Sequence, residues 1–297
     1  MPNRIDECFQ ALGADNEKAF IAYICAGDPD FPRTVDLAFA LEKAGVDILE
    51  LGIPFSDPLA DGLVNQLAAQ RALEAGATVQ GVLDCVAQIR RRSQIPIVLY
   101  SYLNPIFQFG FEQFHREADH AGVDGLLILD LPPEEISRIV AAPLSRGVTP
   151  TATERRGYST YLEMPNDGPL HIRLIAPTTP PDRIQQICAR AAGFIYYVSR
   201  EGVTGVQSEV ALSLRERVGE IRRQTKLPIA VGFGISTPEQ AREVANLADA
   251  VVVGSAIVQK IKENAAHADL PARIGEFVRP LVAAVKGRYA PRSYSCS

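Results

Sequence analysis

The stretch Asp47-Ile-Leu-Glu-Leu-Gly-Ile-Pro-Phe-Ser-Asp-Pro-Leu-Ala-Asp-Gly62 carries a carboxylate through an apolar run and then breaks into a loop rich in Pro and Asp. Asp47 to Pro54 reads as a buried parallel strand: Leu49, Leu51 and Ile53 fall on one face, Ile48, Glu50 and Gly52 on the other. A carboxylate removed from water persists only when it is paired, hydrogen-bonded or functional. Glu50 alone could serve a structural ion pair as readily as chemistry. Gly52, on the same face, is expected to leave room for a ligand. After the strand, Pro54, Asp57, Pro58 and Gly62 forbid regular structure and present a second acid, Asp61, on a loop. Asp57, before a proline, reads as a turn former.

Outward from this stretch the chain alternates strand and helix. An amphipathic helix over Arg4 to Gly13, with Ile5, Phe9 and Leu12 on one stripe, is expected to cover one end of the fold. The predicted strands are Ala19 to Ala26, Asp47 to Pro54, Ile95 to Pro105 (stopped by its last proline), Val123 to Pro132, His171 to Pro177, Gly193 to Ser199, Leu227 to Gly234 and Ala248 to Ser255. Helical patterns separate them, among them Pro32 to Ala44, Leu63 to Ala75, Val79 to Arg91, Phe111 to Ala121 and a segment opened by Glu134 and Glu135; Leu270 to Val285 closes the outer ring. Eight such alternations in 297 residues predict an α/β fold, a single (β/α)8 TIM barrel over 1–297 with an extra N-terminal helix and a loose tail at 287–297. An open doubly wound sheet is the alternative arrangement of the same elements.

A hydrophobic share of 47% with 22% charged residues is ordinary for a globular chain, and a net charge of -5 argues against a general nucleic-acid binder. Arg4, Asp6 and Glu7 exclude a signal peptide at the start, and no apolar run reaches the length of a membrane span, so the cytoplasm is the expected compartment. The five cysteines (Cys8, Cys25, Cys85, Cys188, Cys296) have no CxxC spacing and read as reduced and mostly buried. His115, His120, His171 and His267 lack metal-ligand spacing, so no metal site is predicted, and His115 and His120 read as solvent-facing.

In a barrel of this kind chemistry sits at the C-terminal ends of the strands. Those ends carry Glu50 and Asp61 (second strand), Tyr102 and Asn104 (third), Asp130 (fourth) and Tyr196 followed by Gly202-Val-Thr-Gly205 (sixth). The seventh and eighth end in Gly232-Phe-Gly-Ile-Ser236 and Gly254-Ser255. Two glycine-rich ends at adjacent strands predict a phosphate site made of backbone N–H groups and a helix N-terminus. The substrate is expected to resemble a sugar phosphate.

The segment Glu50 to Gly62 resembles the signature of the tryptophan synthase α subunit family. Asn104-Pro-Ile-Phe-Gln, Asp130-Leu-Pro-Pro, Ala176-Pro-Thr-Thr-Pro, Ser199-Arg-Glu-Gly-Val-Thr-Gly205 and Gly232-Phe-Gly-Ile-Ser236 match it in the same order, over nearly the whole chain. The resemblance implies a lyase of tryptophan biosynthesis that cleaves indole-3-glycerol phosphate to indole and glyceraldehyde 3-phosphate, with no cofactor in this chain. It implies pyridoxal phosphate in a β subunit partner and an α2β2 heterotetramer. By the same resemblance Glu50 is the general acid/base and Asp61 the acceptor for the indole N–H. Tyr196 and Thr204 then belong to the substrate site, Phe233, Tyr102 and Leu127 surround the indole, and Gly205, Gly234, Gly254 and Ser255 hold the phosphate.

The chain departs from the family pattern in four places. Leu63 stands where Pro is usual, which frees the loop carrying Asp61. Tyr100 replaces an aliphatic residue and, by alternation with Val98 and Tyr102, should point inward, its hydroxyl reaching a polar group or water near the acids. Leu129 replaces Pro or Ala and should narrow the same pocket. Thr149 to Leu170 exceeds an ordinary barrel loop and is expected at the N-terminal face, remote from Glu50, where it would not act as a lid. A stand-alone lyase, and a non-catalytic phosphate-binding barrel that activates a partner, are the competing readings; retention of both acids weighs against the latter.

Overall fold

The computed structural model of the protein describes residues 3–132, 168–198, 207–232 and 234–288. Nine parallel strands form one sheet: β1 (Ala19–Cys25), β2 (Ile48–Gly52), β3 (Ile97–Ser101), β4 (Gly125–Ile128), β5 (Leu170–His171), β6 (Arg173–Ile175), β7 (Ile195–Val198), β8 (Ile229–Gly232) and β9 (Ala250–Val253), in the order β5-β4-β3-β2-β1-β9-β8-β7-β6. The expected fifth strand is thus two short ones. β5 pairs with β4 and β6 with β7, and Ile172 between them donates its N–H to Leu126 O at 3.0 Å. One stretch of chain changes neighbour along its length, and the ring closes through it; the stagger between strands of a tilted barrel makes such an exchange possible. This is the (β/α)8 TIM barrel with one strand divided.

Around the strands lie α1 (Arg4–Ala14), α2 (Phe31–Ala44), α3 (Leu63–Glu74), α4 (Val79–Arg90), α5 (Leu103–Phe109), α6 (Phe111–Ala121), α7 (Pro181–Cys188), α8 (Gln207–Arg222), α9 (Pro238–Ala245), α10 (Ser255–Asn264) and α11 (Leu270–Val285). Their starts follow local chemistry. Asp30 caps α2 by accepting from Arg33 N at 2.7 Å, and Gly45 ends it at φ 97°. Thr237 and Gln240 form a reciprocal capping box on α9. The helix opened by Glu134 and Glu135, most of the Thr149 to Leu170 segment, the tail from 289 and Cys296 lie outside the described residues.

The observed strands are shorter than the apolar runs that announced them. Asp47, Asp124 and Asp249 immediately precede β2, β4 and β9, and each adds to its backbone pairing a side-chain bond that accepts a backbone N–H of the neighbouring strand: Phe20 N at 2.7 Å, Ile97 N at 2.7 Å and Ile229 N at 3.0 Å. Each is also held by a cation, Lys286 at 2.7 Å, Arg90 at 2.5 Å and Arg222 at 2.9 Å respectively. These carboxylates pin the register at the N-terminal face. The third strand ends at Ser101, not at Pro105, because α5 begins at Leu103; Pro105 lies in its first turn, where a missing N–H costs nothing. Asn104 is therefore helical. Asp130 accepts from Leu103 N at 2.7 Å, which satisfies a first-turn donor of α5.

Alternation divides the apolar residues into two layers. Phe20, Leu49, Leu51, Leu99, Leu126 and Val251 pack outward under the helices, while Ile21, Ile48, Val98, Leu127, Ala230 and Ala250 fill the barrel interior. Ile5 of α1 joins the inner cluster and is fully buried, so α1 plugs the N-terminal end of the barrel, as the sequence predicts. Ile5→Ala should cost about 2–5 kcal/mol of stability in urea unfolding, with no change in fold. Cys25, Cys85 and Cys188 are buried and Cys8 half-buried, all as free thiols.

Candidate active site

Inward-facing positions of β2 place Glu50 in the barrel, level with Tyr23 of β1 and Val98 of β3. It is 1% exposed, and neither carboxylate oxygen has a hydrogen-bond partner. Burial, and then the nearby charge of Asp61, push its pKa up from 4.5 to about 8. No Lys or Arg is paired with it, which removes the structural ion-pair reading among the described residues. Gly52 does not leave open space for a ligand. A Cβ there would collide with Tyr23 Oη, so the glycine makes room for that tyrosine.

Past β2 the chain turns through Pro54–Gly62, with Leu59 N bonded to Asp57 O at 2.9 Å and Asp61 N to Pro58 O at 3.0 Å. Asp57 is exposed and accepts from Ser56 Oγ at 2.5 Å, in keeping with a turn role. Asp61 points back into the barrel mouth. One oxygen accepts from Tyr100 Oη and the other from Tyr102 Oη, both at 2.9 Å. Burial raises its pKa above the ordinary carboxylate value, and hydrogen bonds from Tyr100, Tyr102 and Asn65 oppose that rise.

Glu50 and Asp61 share a cavity of about 320 Å³. Tyr23, Tyr100 and Tyr196 line it with the acids, as do Gly232, Gly234, Gly254 and Ser255. Gly234 has φ 39°, and nothing lies within 4 Å of where its Cβ would be. Gly254 is the N-cap of α10 and offers no side-chain hydrogen bond, so the first N–H groups of that helix remain available to an anion. The cavity thus has an acidic, aromatic end and a glycine-lined end with helix donors. It suits a molecule with a flat apolar ring at one end and a phosphate at the other.

Of the residues expected in the site, Glu50, Asp61, Tyr100, Tyr196, Gly234, Gly254 and Ser255 meet around this cavity. Tyr102 belongs to it through Asp61, yet as the N-cap of α5 it is not a strand residue. Leu127 lies deeper, fully buried in the barrel interior. Leu129 packs on the inner cluster and lines another cavity, of about 230 Å³, with Arg173 and Arg183, not the one that holds Glu50. Phe233, Thr204 and Gly205 lie outside the described residues. The sequence reading passed over Tyr23 and Asn65. Tyr23 holds an inward position in an otherwise apolar strand, a signal in the sequence, and Asn65 follows Asp61 by four residues on α3.

His115 is not solvent-facing. Its ring stacks on His171 at 5.3 Å between centroids, with the two Nε2 atoms 3.3 Å apart, and it packs α6 against β5 away from the cavity lining. Burial lowers the His171 pKa to about 3, so the pair is neutral. Among the described residues no group of His, Cys, Asp and Glu is arranged to hold a metal ion.

The family profile described as tryptophan synthase alpha chain matches residues 9–156 and 159–285, and the two residues left between fall inside the long Thr149 to Leu170 segment. The chain is 50% identical to the tryptophan synthase alpha chain of Opitutus terrae over 285 residues, covering 96% of this chain and 99% of that one. It is 46% identical to the alpha chain of Citrifermentans bemidjiense over 279 residues, 94% and 96% of the two chains. The crystal structure of tryptophan synthase subunit alpha from Legionella pneumophila str. Paris superposes with a TM-score of 0.80 at 37% identity, covering 97% of this chain and 100% of that one. A tryptophan synthase structure from M. tuberculosis, in an open form, gives a TM-score of 0.78 at 30% identity, over 97% and 100% of the chains.

Proposed function

The chain belongs to the tryptophan synthase alpha chain family, and from that premise we propose that Glu50 and Asp61 are the two acids that carry its reaction. That reaction is the cleavage of indole-3-glycerol phosphate to indole and glyceraldehyde 3-phosphate; the chain is a carbon–carbon lyase of tryptophan biosynthesis. The observation that supports the assignment is a buried glutamate with no hydrogen-bond partner and a pKa raised to about 8, facing a cavity shared with a second carboxylate.

At neutral pH Glu50 holds its proton and can deliver it to C3 of the indole ring. Positive character then develops at the ring nitrogen, and the Asp61 carboxylate accepts the N–H and stabilises it. The bond from C3 to the glycerol chain breaks as the hydroxyl on the departing carbon loses its proton to Glu50, which is thereby restored. Its electron pair becomes the new carbonyl, and the pair of the broken bond returns to the ring. Tyr23, Tyr100 and Tyr196 bound the space beside the acids and exclude water, while Gly234, Gly254 and Ser255 receive the phosphate. Phe233, Thr204 and Gly205 complete the site on this reading.

Both proton transfers use side chains of this chain, so we assign it no cofactor of its own, and pyridoxal phosphate to a β subunit that receives the indole in an α2β2 heterotetramer. Apolar surface beside the cavity mouth supports such a partner: Leu59 is 90% exposed, Leu63 69% and Phe107 on α5 46%. Among the described residues no helix is long and apolar enough to cross a membrane; the compartment proposed is the cytoplasm. The decisive assay is release of indole from indole-3-glycerol phosphate, with and without β subunit. Equal amounts of indole and glyceraldehyde 3-phosphate are expected in both arms, faster with the partner. No indole in either arm would overturn the assignment.

A further inference from the structure

We propose that Tyr100, together with Tyr102, is a positioning residue: the two phenols form a clamp that fixes the plane of the Asp61 carboxylate and holds it as an acceptor aimed at the ring nitrogen of the substrate. This inference rests on the reading of Asp61 given above and adds the means by which it is held.

The geometry is specific. Each Asp61 oxygen receives one phenol, Tyr100 on Oδ1 and Tyr102 on Oδ2, at 2.9 Å in both cases. Two fixed points on the two oxygens remove rotation of the carboxylate about its own bond. The direction of donation follows from the partners. Tyr102 Oη accepts the Ala60 N–H at 2.9 Å, so its single proton is committed to Asp61. Tyr100 Oη has Asp61 as its hydrogen-bond partner and donates likewise, since a phenol keeps its proton far more firmly than a carboxylic acid. A carboxylate that accepts on both oxygens is favoured in its charged form, against the burial that opposes it. Its two oxygens offer about four acceptor sites; Tyr100, Tyr102 and Asn65 use three, and one remains for an indole N–H.

The clamp reaches Asp61 from the strand side. Tyr100 belongs to β3, and its ring packs edge-on against Tyr23 at 5.1 Å and 69°. Tyr102 sits at the N-cap of α5 and is 6% exposed. Asp61 itself lies on a loop with exposed neighbours Ala60 and Gly62, and it enters α3 through Leu63, whose φ no ring fixes. With an aliphatic side chain at position 100, one oxygen of Asp61 would lose its donor. The tyrosine there supplies that donor from the strand side.

The test is a kinetic series on the full chain with indole-3-glycerol phosphate: Tyr100→Phe, Tyr102→Phe, Asp61→Asn, and Tyr100→Phe combined with Asp61→Asn. Phe keeps the ring, and unfolding in urea checks that each variant is native. Tyr100→Phe should lower kcat by about 10-fold with KM within about 3-fold, because the lost interaction matters most as charge develops. The acidic limb of the pH profile of kcat/KM should move upward by about 0.5–1 unit, since Asp61 loses a donor that favoured its charge. Tyr102→Phe should move the limb in the same direction. In the Asp61→Asn background Tyr100→Phe should add little. An unmoved acidic limb and unchanged kcat in Tyr100→Phe would overturn the clamp, as would a full independent loss in the Asp61→Asn background. If Asp61→Asn itself retains activity, the assignment of Asp61 fails instead, so the two failures are distinct.

Discussion

Glu50→Gln should reduce indole release by about 10²–10⁴-fold while leaving the fold intact. Gln preserves the shape of the side chain but can neither give a proton to the ring nor take one from the hydroxyl. The same substitution should alter stability in a way that depends on pH. Glu50 keeps its proton in the folded protein up to about pH 8, whereas it titrates near 4.5 when exposed. Between those values the unfolded chain has lost a proton that the folded chain still holds, so wild-type stability falls as pH rises, by about 1.4 kcal/mol per unit at most. Below about pH 4.5 both states are protonated and the penalty is absent. Glu50→Gln should lack this slope, so its urea midpoint should gain on wild type between pH 5 and 8. Activity within a few-fold of wild type, or parallel stability curves, would remove Glu50 from the role of proton carrier.

Asp61→Asn should lower kcat by about 10²–10³-fold, the usual size of loss when a group facing developing charge is neutralised. The amide still fits between Tyr100 and Tyr102, but one of its ends is now a donor. A donor facing the Tyr100 or Tyr102 hydroxyl forces that phenol to accept, and the negative charge opposite the indole N–H is gone. Binding at the glycine-lined end should be spared. The affinity for glycerol phosphate, measured by calorimetry, should therefore stay within about 3-fold of wild type. A parallel loss of glycerol phosphate binding would mean that Asp61 organises the whole mouth rather than the ring end alone.

The strand-two stretch showed much of this in one dimension. The period-2 face of Ile48, Glu50 and Gly52 is the inner face in three dimensions, and Glu50 and Asp61 do share a cavity. The inward turn of Tyr100 followed from alternation, and the polar group expected near its hydroxyl is Asp61 itself. What the sequence concealed has physical causes. An apolar run does not reveal that Asp47, Asp124 and Asp249, just ahead of β2, β4 and β9, add side-chain bonds to the neighbouring strand beside their backbone pairing. A proline reads as a stop, yet Pro105 serves equally well in the first turn of α5. Gly52 announces close approach without naming the visitor, which is Tyr23 and not substrate. Leu129 follows the alternation inward and packs on the inner cluster, but alternation does not say which cavity a side chain lines.

The divided fifth strand bears on how the molecule opens. β5 holds β4 over two residues and β6 holds β7 over three, while β1 joins β2 over five register pairs and β9 over four. Fluctuations that break the ring should begin where the fewest backbone bonds resist them. Loosened there, the chain would relax to a curved, open sheet still running from β4 through β1 to β7, with its helices on one face. Glu50, Tyr23, Tyr196, Gly232 and Gly254 lie on strands, or at strand ends, across that surviving span. Glu50 and Tyr23 lie on strands away from the seam, whereas Tyr196 on β7 is paired with β6 beside it, so breathing of the ring would disturb that tyrosine before the acid.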